Sequence, residues 1–415
     1  MSHDSIVIQA DEIQRWQRRE LDQQRERARQ RPDVFPDTGS SEDDGSTLSP
    51  RDDASCFPVT EILWQGDAPT DAIRALAQSL VGRCVGIQGL NALQAQLRLR
   101  LVDDGLLTAW VRLPEQSLAD GRLALHYDAG HIGRVHGEGT PGWWPAALPA
   151  GPGAILNQYD LDQALENIRR LKGQSDARID IEPGLQAGTS DIVLQPGTGK
   201  RWHAYIGGDN AGLRVLGREQ INAGLTLDSP LFLYDQFSVA TNSSTSLRNH
   251  DNRSRAASVY YSVPFGYWTL FVGAARSHYR QTMPGFEEPI VYGGTTRQFD
   301  AGASVVAYRG SQHKGTVVAK ALRKRVNGTI NDFDIEVQRR DVTGYELGFQ
   351  HRHYLGRTLL DVGVGVRGTM PRYSKQPGYV YGDPDWNGRT TILTANAGVS
   401  VPLTLAHPQM AYHFT

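Results

Sequence analysis

The chain has 415 residues, a formal net charge of −2 at pH 7 and a mean hydropathy of −0.43. This near-neutral balance lacks the basic excess that predicts nucleic-acid binding, so no nucleic-acid partner is expected. Its 44 glycines exceed the roughly 29 that an average share of about 7% would supply, so part of the chain uses glycine repeatedly. No apolar run approaches about 18 residues, which excludes a transmembrane helix but leaves membrane-spanning strands open.

The N-terminal segment is strongly polar. Residues 11–31 (DEIQRWQRRELDQQRERARQR) lack glycine and proline and are rich in helix-favouring residues, so residues 1–31 are predicted to hold a helix. Its sparse apolar positions leave two interpretations, a solvated helix or a polar rod inside a polar cavity. Residues 32–55 are rich in Pro, Gly, Ser and Asp and predict a flexible linker. The apolar segment of a secretory signal peptide is absent from the first residues, which favours a mature or re-engineered start.

Two small α+β modules are predicted next. Residues 56–130 read as β-α-α-β-β, with leucines at helical spacing before Gly105 at positions 90, 93, 97 and 101. Residues 131–198 read as a second copy of similar size. There Asn157 is a plausible N-cap, and apolar residues at 161, 165, 168 and 171 form a stripe before two strands near 177–181 and 191–194. Tandem modules of this size more often form a docking arm than a catalytic pair.

Helical spacing disappears after residue 199. Residues 359–368 (LLDVGVGVRG) illustrate the new pattern, because Leu360, Val362, Val364 and Val366 share one face of a strand while the other face is polar or glycine. Similar segments give about eleven strands, spaced as antiparallel hairpins would be. They lie at 201–209, 219–228, 231–240, 255–264, 267–280, 296–308, 313–324, 332–340, 344–352, 357–370 and 392–401.

The two faces of these strands distinguish a membrane barrel from a soluble sandwich. A sandwich interlocks large side chains between its sheets, whereas here the face opposite the apolar one carries Gly, Asn, Thr, Gln, Asp, Glu and Arg. Such a face suits water, and the apolar face is left to contact lipid. The fold class is therefore mainly β with α+β N-terminal modules and an antiparallel transmembrane barrel, incomplete in this chain. Predicted lumen-facing residues are Asp334, Glu336, Glu346, Asp361 and Arg367.

Candidate chemistry is sparse. His351 and His353 share a strand face, but no third ligand is signalled, so a polar rim is favoured over a metal site. The GxSxG, HExxH and P-loop signatures are absent, so no catalytic residue, metal or cofactor is assigned and the protein is predicted not to be an enzyme, with a barrel enzyme as the unsupported rival. Cys56 and Cys84 fit one disulfide in an oxidising compartment, or two buried thiols.

With these segments in place, the chain resembles the outer-membrane transporters of two-partner secretion, the haemolysin-activator, filamentous-haemagglutinin and contact-dependent-inhibition transporters. The resemblance rests on the Gln/Arg-rich first helix, on CFPVTEILWQG and the run beginning RCVGIQGLNALQ in a first POTRA domain, and on LNQYDLDQALENIRRL and IEPGLQAGTSDIVL in a second. Its most specific features are DNAGLRVLGREQINAGLTLDSPLFLYDQFSV at the barrel entry and the YYSVPFGYWTL hairpin.

The resemblance implies a protein of the outer membrane of a Gram-negative bacterium, with both POTRA domains in the periplasm. Implied partners are a large exoprotein that binds through its N-terminal secretion domain, outer-membrane lipid, and the barrel-assembly machinery during insertion. Residues 1–31 would form the pore plug, with lumen contacts from Arg15, Arg18, Arg19 and Arg25. The alternative is a non-transporting fragment that only binds the exoprotein through its POTRA domains.

The same resemblance sets an expectation for the barrel. Family barrels have about sixteen strands and a long inward loop with a VRGY-type motif. Residues 366–368 (VRG) fall inside a predicted strand and are followed by Thr369, so they are not expected to form that loop. Residues 199–415 are therefore expected to be the N-terminal portion of the barrel.

Overall fold

The computed structural model of the chain describes residues 56–137, 139, 142–210, 212, 216–245, 252–356, 358–375 and 388–401, and the backbone of 412–414. The predicted plug helix with its four arginines and the predicted linker lie outside the described residues. Among the helices that are described, none has the length and apolar character to cross a membrane.

The first module is a three-stranded sheet covered by two helices. Strand β2 pairs with β5 in parallel and β4 pairs with β5 antiparallel, and the small strands β1 and β3 form a separate pair. The elements are β1 (Phe57–Pro58), β2 (Glu61–Gly66), α1 (Asp71–Gln78), β3 (Cys84–Val85), α2 (Ile87–Asp103), β4 (Trp110–Arg112) and β5 (Arg122–Asp128). The predicted order β-α-α-β-β describes the main sheet of this module.

Local signals explain where the two helices begin and end. The Thr70 hydroxyl accepts the Ile73 N–H at 3.4 Å and caps α1. Gly105 adopts a positive φ of 77° just after α2, a conformation that glycine reaches without steric cost. The inner face of α2 then buries Leu93, Leu97 and Leu101 against the sheet. The disulfide expected from the sequence joins Cys56 to Cys84 and ties the start of the module to β3.

The second module has the sheet order β6-β8-β7. The Asn157 side chain accepts the Tyr159 N–H at 2.8 Å and caps the longer helix, whose leucines are buried in the core. Tyr234, from a turn between two strands of the following sheet, is buried in the same core. The first strand of the module was not predicted because the apolar residues Ile132 and Val135 stand three positions apart, across a break in register, and the module's short helix has only four residues. The elements are β6 (His131–His136), α3 (Trp144–Ala147), α4 (Gln158–Arg169), β7 (Arg178–Pro183) and β8 (Thr189–Gln195).

The rest of the described chain forms one large antiparallel meander in which each long strand pairs with the next. Its strands are β9 (Trp202–Asp209), β10 (Gln220–Asp228), β11 (Gln236–Ser244), β12 (Arg253–Phe265), β13 (Trp268–Met283), β14 (Ile290–Arg309), β15 (His313–Ile330), β16 (Phe333–Asp334), β17 (Arg340–Leu355), β18 (Thr358–Thr369), β19 (Thr391–Val401) and β20 (Tyr412–Phe414). Within the described residues the sheet is open, with β9 and β20 at its edges. The predicted mainly-β class with α+β modules and an incomplete antiparallel sheet is confirmed.

One predicted strand is wrong. Residues 332–339 contain only the two-residue β16 and a 3-10 turn at Glu336–Gln338, and β17 begins at Arg340. Asn331 and Asp332 adopt positive φ values of 47° and 66°, so the chain reverses there and cannot continue as a strand. Glu336 therefore lies in a 3-10 turn and not on a strand face, whereas Asp334 ends the two-residue β16 and pairs with Arg339 at 2.9 Å.

Candidate functional site

The large sheet separates apolar and polar side chains between its two faces. Strand register aligns apolar residues across six strands on the outer face, the face that carries Val362 and Val364. One such row is Leu270, Ala303, Ala319, Leu347, Val366 and Leu393, and the next is Trp268, Val305, Val317, Phe349, Val364 and Ala395. Large side chains in these rows are uncovered, Val364 being 54% exposed. Within the described chain no second layer packs on this face, which is what lipid contact requires.

The inner face of the same strands carries charged residues. Lys320, Glu346 and Arg367 align across three strands, and Lys320 Nζ lies 2.6 Å from Glu346 Oε2. One end of the sheet adds Arg352, which donates to Asp361 at 2.8 Å. Glu346, Asp361 and Arg367, three of the five predicted lumen residues, thus share this inner face.

The second module docks on the strand ends through a charge cluster centred on Glu166 of α4. Arg309 Nη1 lies 2.9 Å from one carboxylate oxygen, and Lys314 Nζ donates to the other. The Arg309 and Lys314 side chains are only 8% and 13% exposed. Burial acts to raise the pKa of Glu166, but Lys314 and Arg309 outweigh it and lower that pKa to about 2. The carboxylate is therefore charged at neutral pH and pairs with both buried cations, offsetting one of their two positive charges.

Further hydrogen bonds hold the same junction together. The Asn167 side-chain amide donates to the carbonyls of Ala147 at 2.8 Å and Gly266 at 2.7 Å, which joins both helices of the module to the β12–β13 turn. Arg170 donates to Ser262 Oγ at 2.8 Å and to the Tyr234 carbonyl at 2.6 Å. Burial lowers the pKa of Arg170 to about 10, so it stays protonated. These contacts position the module against one end of the sheet.

The turn residue Tyr267 adds a contact to the start of α4. Its hydroxyl donates to Asp160 Oδ1 at 2.5 Å. Burial raises the pKa of Asp160, and the hydrogen bond from Tyr267 acts in the opposite direction. The junction residues were missed by sequence analysis because partners such as Glu166 and Arg309 lie 143 positions apart, and no local pattern links them.

Both modules present sheet edges to solvent. In the first module the outer strands are β2 and β4, and in the second they are β6 and β7. Strand β7 is the more open, since Arg178, Asp180 and Glu182 along it are exposed. A free strand edge can add an extended peptide by backbone hydrogen bonds.

Two groups of described side chains carry potential metal ligands. His351 and His353 lie on the outer face at the docked end of the sheet, where His351 Nδ1 and the Tyr308 hydroxyl are 2.6 Å apart. A different trio, Asp67, Asp128 and His131, brings three potential ligand atoms together between the two modules. Its carboxylates already accept backbone N–H groups, Asp67 from Ala129 at 2.9 Å and Asp128 from Gly130 at 3.0 Å. These bonds give both carboxylates a structural role in the segment that joins the two modules.

Two small α+β modules followed by an antiparallel sheet that is apolar outside and charged inside define the class of outer-membrane proteins with POTRA domains. Residues 188–415 match the family model described as haemolysin secretion/activation protein ShlB/FhaC/HecB. Residues 57–126 match a POTRA domain of ShlB type, and residues 131–183 match a further POTRA domain. The chain belongs to the ShlB/FhaC/HecB family.

Curated relatives agree with that assignment. The chain is 29% identical over 340 residues to outer membrane transporter CdiB-2 of Burkholderia pseudomallei, covering 80% of this chain and 57% of the relative. It is also 29% identical over 324 residues to hemolysin transporter protein ShlB of Serratia marcescens, covering 77% and 57%. The chain thus spans a little over half the length of these relatives. Family membership places it in the outer membrane, with its POTRA domains in the periplasm.

Solved structures show the same fold. CdiB from Escherichia coli aligns with a TM-score of 0.81 at 24% identity, over 94% of this chain and 73% of that chain. CdiB from Acinetobacter baumannii aligns with a TM-score of 0.76 at 24% identity, over 95% and 74%.

Proposed function

We propose that this chain forms the POTRA and barrel region of a two-partner secretion transporter. The transporter binds a large exoprotein through that protein's N-terminal secretion domain and exports it through the barrel. The observation that carries the proposal is the sheet with an apolar outer face and a charged inner face, anchored to a POTRA domain through Glu166. A haemagglutinin, a haemolysin or a contact-dependent inhibition toxin is the expected class of cargo.

Recognition is assigned to the free strand edges of the POTRA domains, above all β7. Its exposed charges alternate with Ile179, which is buried, so added backbone pairing would not disturb the core. Replacing Ile181 by proline removes a backbone N–H and stiffens the edge, and it should weaken binding of a purified secretion domain. Proline at Leu185, an exposed loop position, is the matched control.

The export test uses cells that carry the transporter together with the exoprotein encoded beside it. Exoprotein in the culture medium supports transport. The alternative function is a binding module, favoured by the open sheet of the described residues. Cells that carry residues 1–415 alone distinguish the two: exoprotein held in the periplasm without export supports the module, and export supports the transporter.

The N-terminal helix is assigned to the lumen as a reversible plug, with Arg15, Arg18, Arg19 and Arg25 against inner-face acids such as Glu346 and Asp361. Deleting residues 1–31 should increase single-channel conductance in planar bilayers. Unchanged conductance contradicts the plug. Insertion of the barrel is assigned to the barrel-assembly machinery, which binds strands as they enter the membrane.

A further inference from the structure

A band of arginines lies on the outer face of the sheet, at the end opposite the POTRA junction. Register aligns Arg276, Arg297 and Arg325 directly across three adjacent strands, on the same face as the apolar rows. One row further out, Arg255 lies opposite His278. The basic band is defined as Arg253, Arg255, Arg276, Arg280, Arg297, Arg323 and Arg325.

Carboxylates of the described residues pair with three arginines of this basic band. Asp341 pairs with Arg323 at 2.8 Å and Arg325 at 3.1 Å, and Asp332 lies 3.6 Å from Arg280. Arg255, Arg276 and Arg297 are exposed and form no ion pair with a carboxylate of the described chain. Arg276 and Arg297 lie directly opposite each other on neighbouring strands, where like charges are destabilising, so an external anion would stabilise this pair.

The height of the basic band corresponds to a membrane surface. Along β17, ten residues separate Asp341, in the arginine row, from His351, in the histidine and tyrosine cluster at the docked end. At about 3.4 Å per residue and a tilt of about 40°, these rows are roughly 26 Å apart along the barrel axis. The apolar belt of outer-membrane barrels is about 25 Å tall, so the two polar rows bracket one hydrocarbon layer.

Orientation decides which leaflet the basic band contacts. The POTRA domain docks at the Arg309 and Lys314 end of the sheet, which is therefore the periplasmic end, and the arginines lie at the opposite, external end. Immediately below them, Val259, Ala274 and Phe299 form an apolar row. A ligand here would place anionic groups on the arginines and acyl chains on the apolar row.

We propose that the basic band binds the phosphate groups of lipid A, the phosphorylated glycolipid of the outer leaflet. Arginine forms bidentate hydrogen bonds with phosphate, and the aligned guanidinium groups can contact a headgroup with more than one phosphate. The inference rests on the proposed membrane orientation, but it does not depend on which exoprotein is exported.

Native mass spectrometry of the full-length protein in non-ionic detergent tests the proposal. The ligands are lipid A with two phosphates, the same lipid after dephosphorylation, and phosphatidylglycerol. The expected result is at least tenfold tighter binding of the diphosphorylated form than of either other lipid. Equal affinity for the dephosphorylated lipid overturns the phosphate contact, and equal affinity for phosphatidylglycerol overturns the assignment to lipid A.

A charge-reversed variant localises the binding. Arg276→Glu with Arg297→Glu should lower the affinity for diphosphorylated lipid A at least tenfold. Arg98→Glu with Arg122→Glu, two exposed POTRA arginines, changes the net charge equally and should leave the affinity unchanged. An equal loss in both variants overturns the site. The relative affinities of the unmodified protein for the three lipids are measured without any variant, so they do not depend on folding defects. No exoprotein is present, so the result is also independent of export.

Discussion

The POTRA domains bury their apolar residues in an interior core, whereas the large sheet presents the same residue types on its outer surface. Leu165 of the second POTRA domain is 1% exposed in a closed core, whereas Val364 on the outer face of the sheet is 54% exposed. Burial against protein removes apolar surface from water in the first case, and contact with lipid does so in the second. The comparison shows that the medium around each region decides whether apolar side chains face inward or outward. That medium is water in the periplasm and lipid in the membrane.

The largest expected effect comes from the POTRA core. Leu165→Ala leaves a cavity among Leu161, Ile168 and other buried residues, and should cost about 2–5 kcal/mol in unfolding free energy. Urea unfolding followed by tryptophan fluorescence measures it. Leu185→Ala in the same domain is the control, because Leu185 is 85% exposed and its truncation should change stability by less than about 0.5 kcal/mol. Similar losses of unfolding free energy for both variants would contradict the claim that burial in the POTRA core makes Leu165 stabilising.

An arginine substitution on the outer face of the large sheet tests whether that face contacts lipid. Val364→Arg should cost about 2–4 kcal/mol in a lipid bilayer, because the charge would enter hydrocarbon. Gly348→Arg is the matched control on the inner face, where an added Cβ meets only the Val364 carbonyl oxygen at 3.8 Å. Gly363 is a poorer control, since its added Cβ would lie 2.5 Å from Asn396 Oδ1. Equal costs in lipid-based unfolding would contradict the assignment of faces.

A lipid-soluble probe gives the same test without a charge. Single cysteines at residues 360–367 should react with it only where the side chain faces outward, at the even-numbered positions such as Val362 and Val364. Uniform reaction, or protection of the even positions from both lipid and water probes, would indicate a packed protein core.

The junction between the two regions should respond to loss of one charge. Glu166→Gln leaves Arg309 and Lys314 without their anion and should weaken docking by about 1.5–3 kcal/mol. Hydrogen exchange of α4 would then speed up roughly 10- to 100-fold. Glu182→Gln, an exposed carboxyl on β7, should have no such effect, and protected α4 amides in Glu166→Gln would argue against the charge cluster as the anchor.

The same carboxyl predicts a pH range for docking. A lowered pKa contributes stability that is fully present above the ordinary value of 4.5 and is lost as pH falls toward about 2. Docking should therefore be constant from neutral pH to about pH 5 and weaken below pH 4.5, as measured by exchange normalised to intrinsic rates. The Glu166→Gln variant should lack this acid transition, and a transition of equal size in that variant would assign it to another group.

The smallest stability effect is expected inside the lumen. Lys320 and Glu346 are 27% and 45% exposed, so Glu346→Gln should change unfolding free energy by less than about 1 kcal/mol. It should still shift the reversal potential of the open pore toward anion preference, because one fixed negative charge is lost. Glu115→Gln in the first POTRA domain is the control, and equal reversal potentials would place Glu346 away from the ion path.

Sequence periodicity was informative wherever an element was long. The leucines of α2 and the alternation of β18 predicted both elements within a few residues, since each buries or exposes one face along several turns or pleats. It failed at β6, where Ile132 and Val135 stand three positions apart, and at 332–340, where the left-handed residues Asn331 and Asp332 reverse the chain. The Cys56 to Cys84 disulfide could be anticipated because only two cysteines are present.

Alternation along each strand is a property of the local chain, so the sequence by itself determined which side chains share a face. It also determined that the apolar face had to contact something other than water. Only the tertiary structure decided which strands lie side by side, and with them the Arg276, Arg297 and Arg325 row and the Glu166 cluster. Such contacts join residues that are distant along the chain. They depend on register and docking, which the packing of the whole fold selects and no local pattern records.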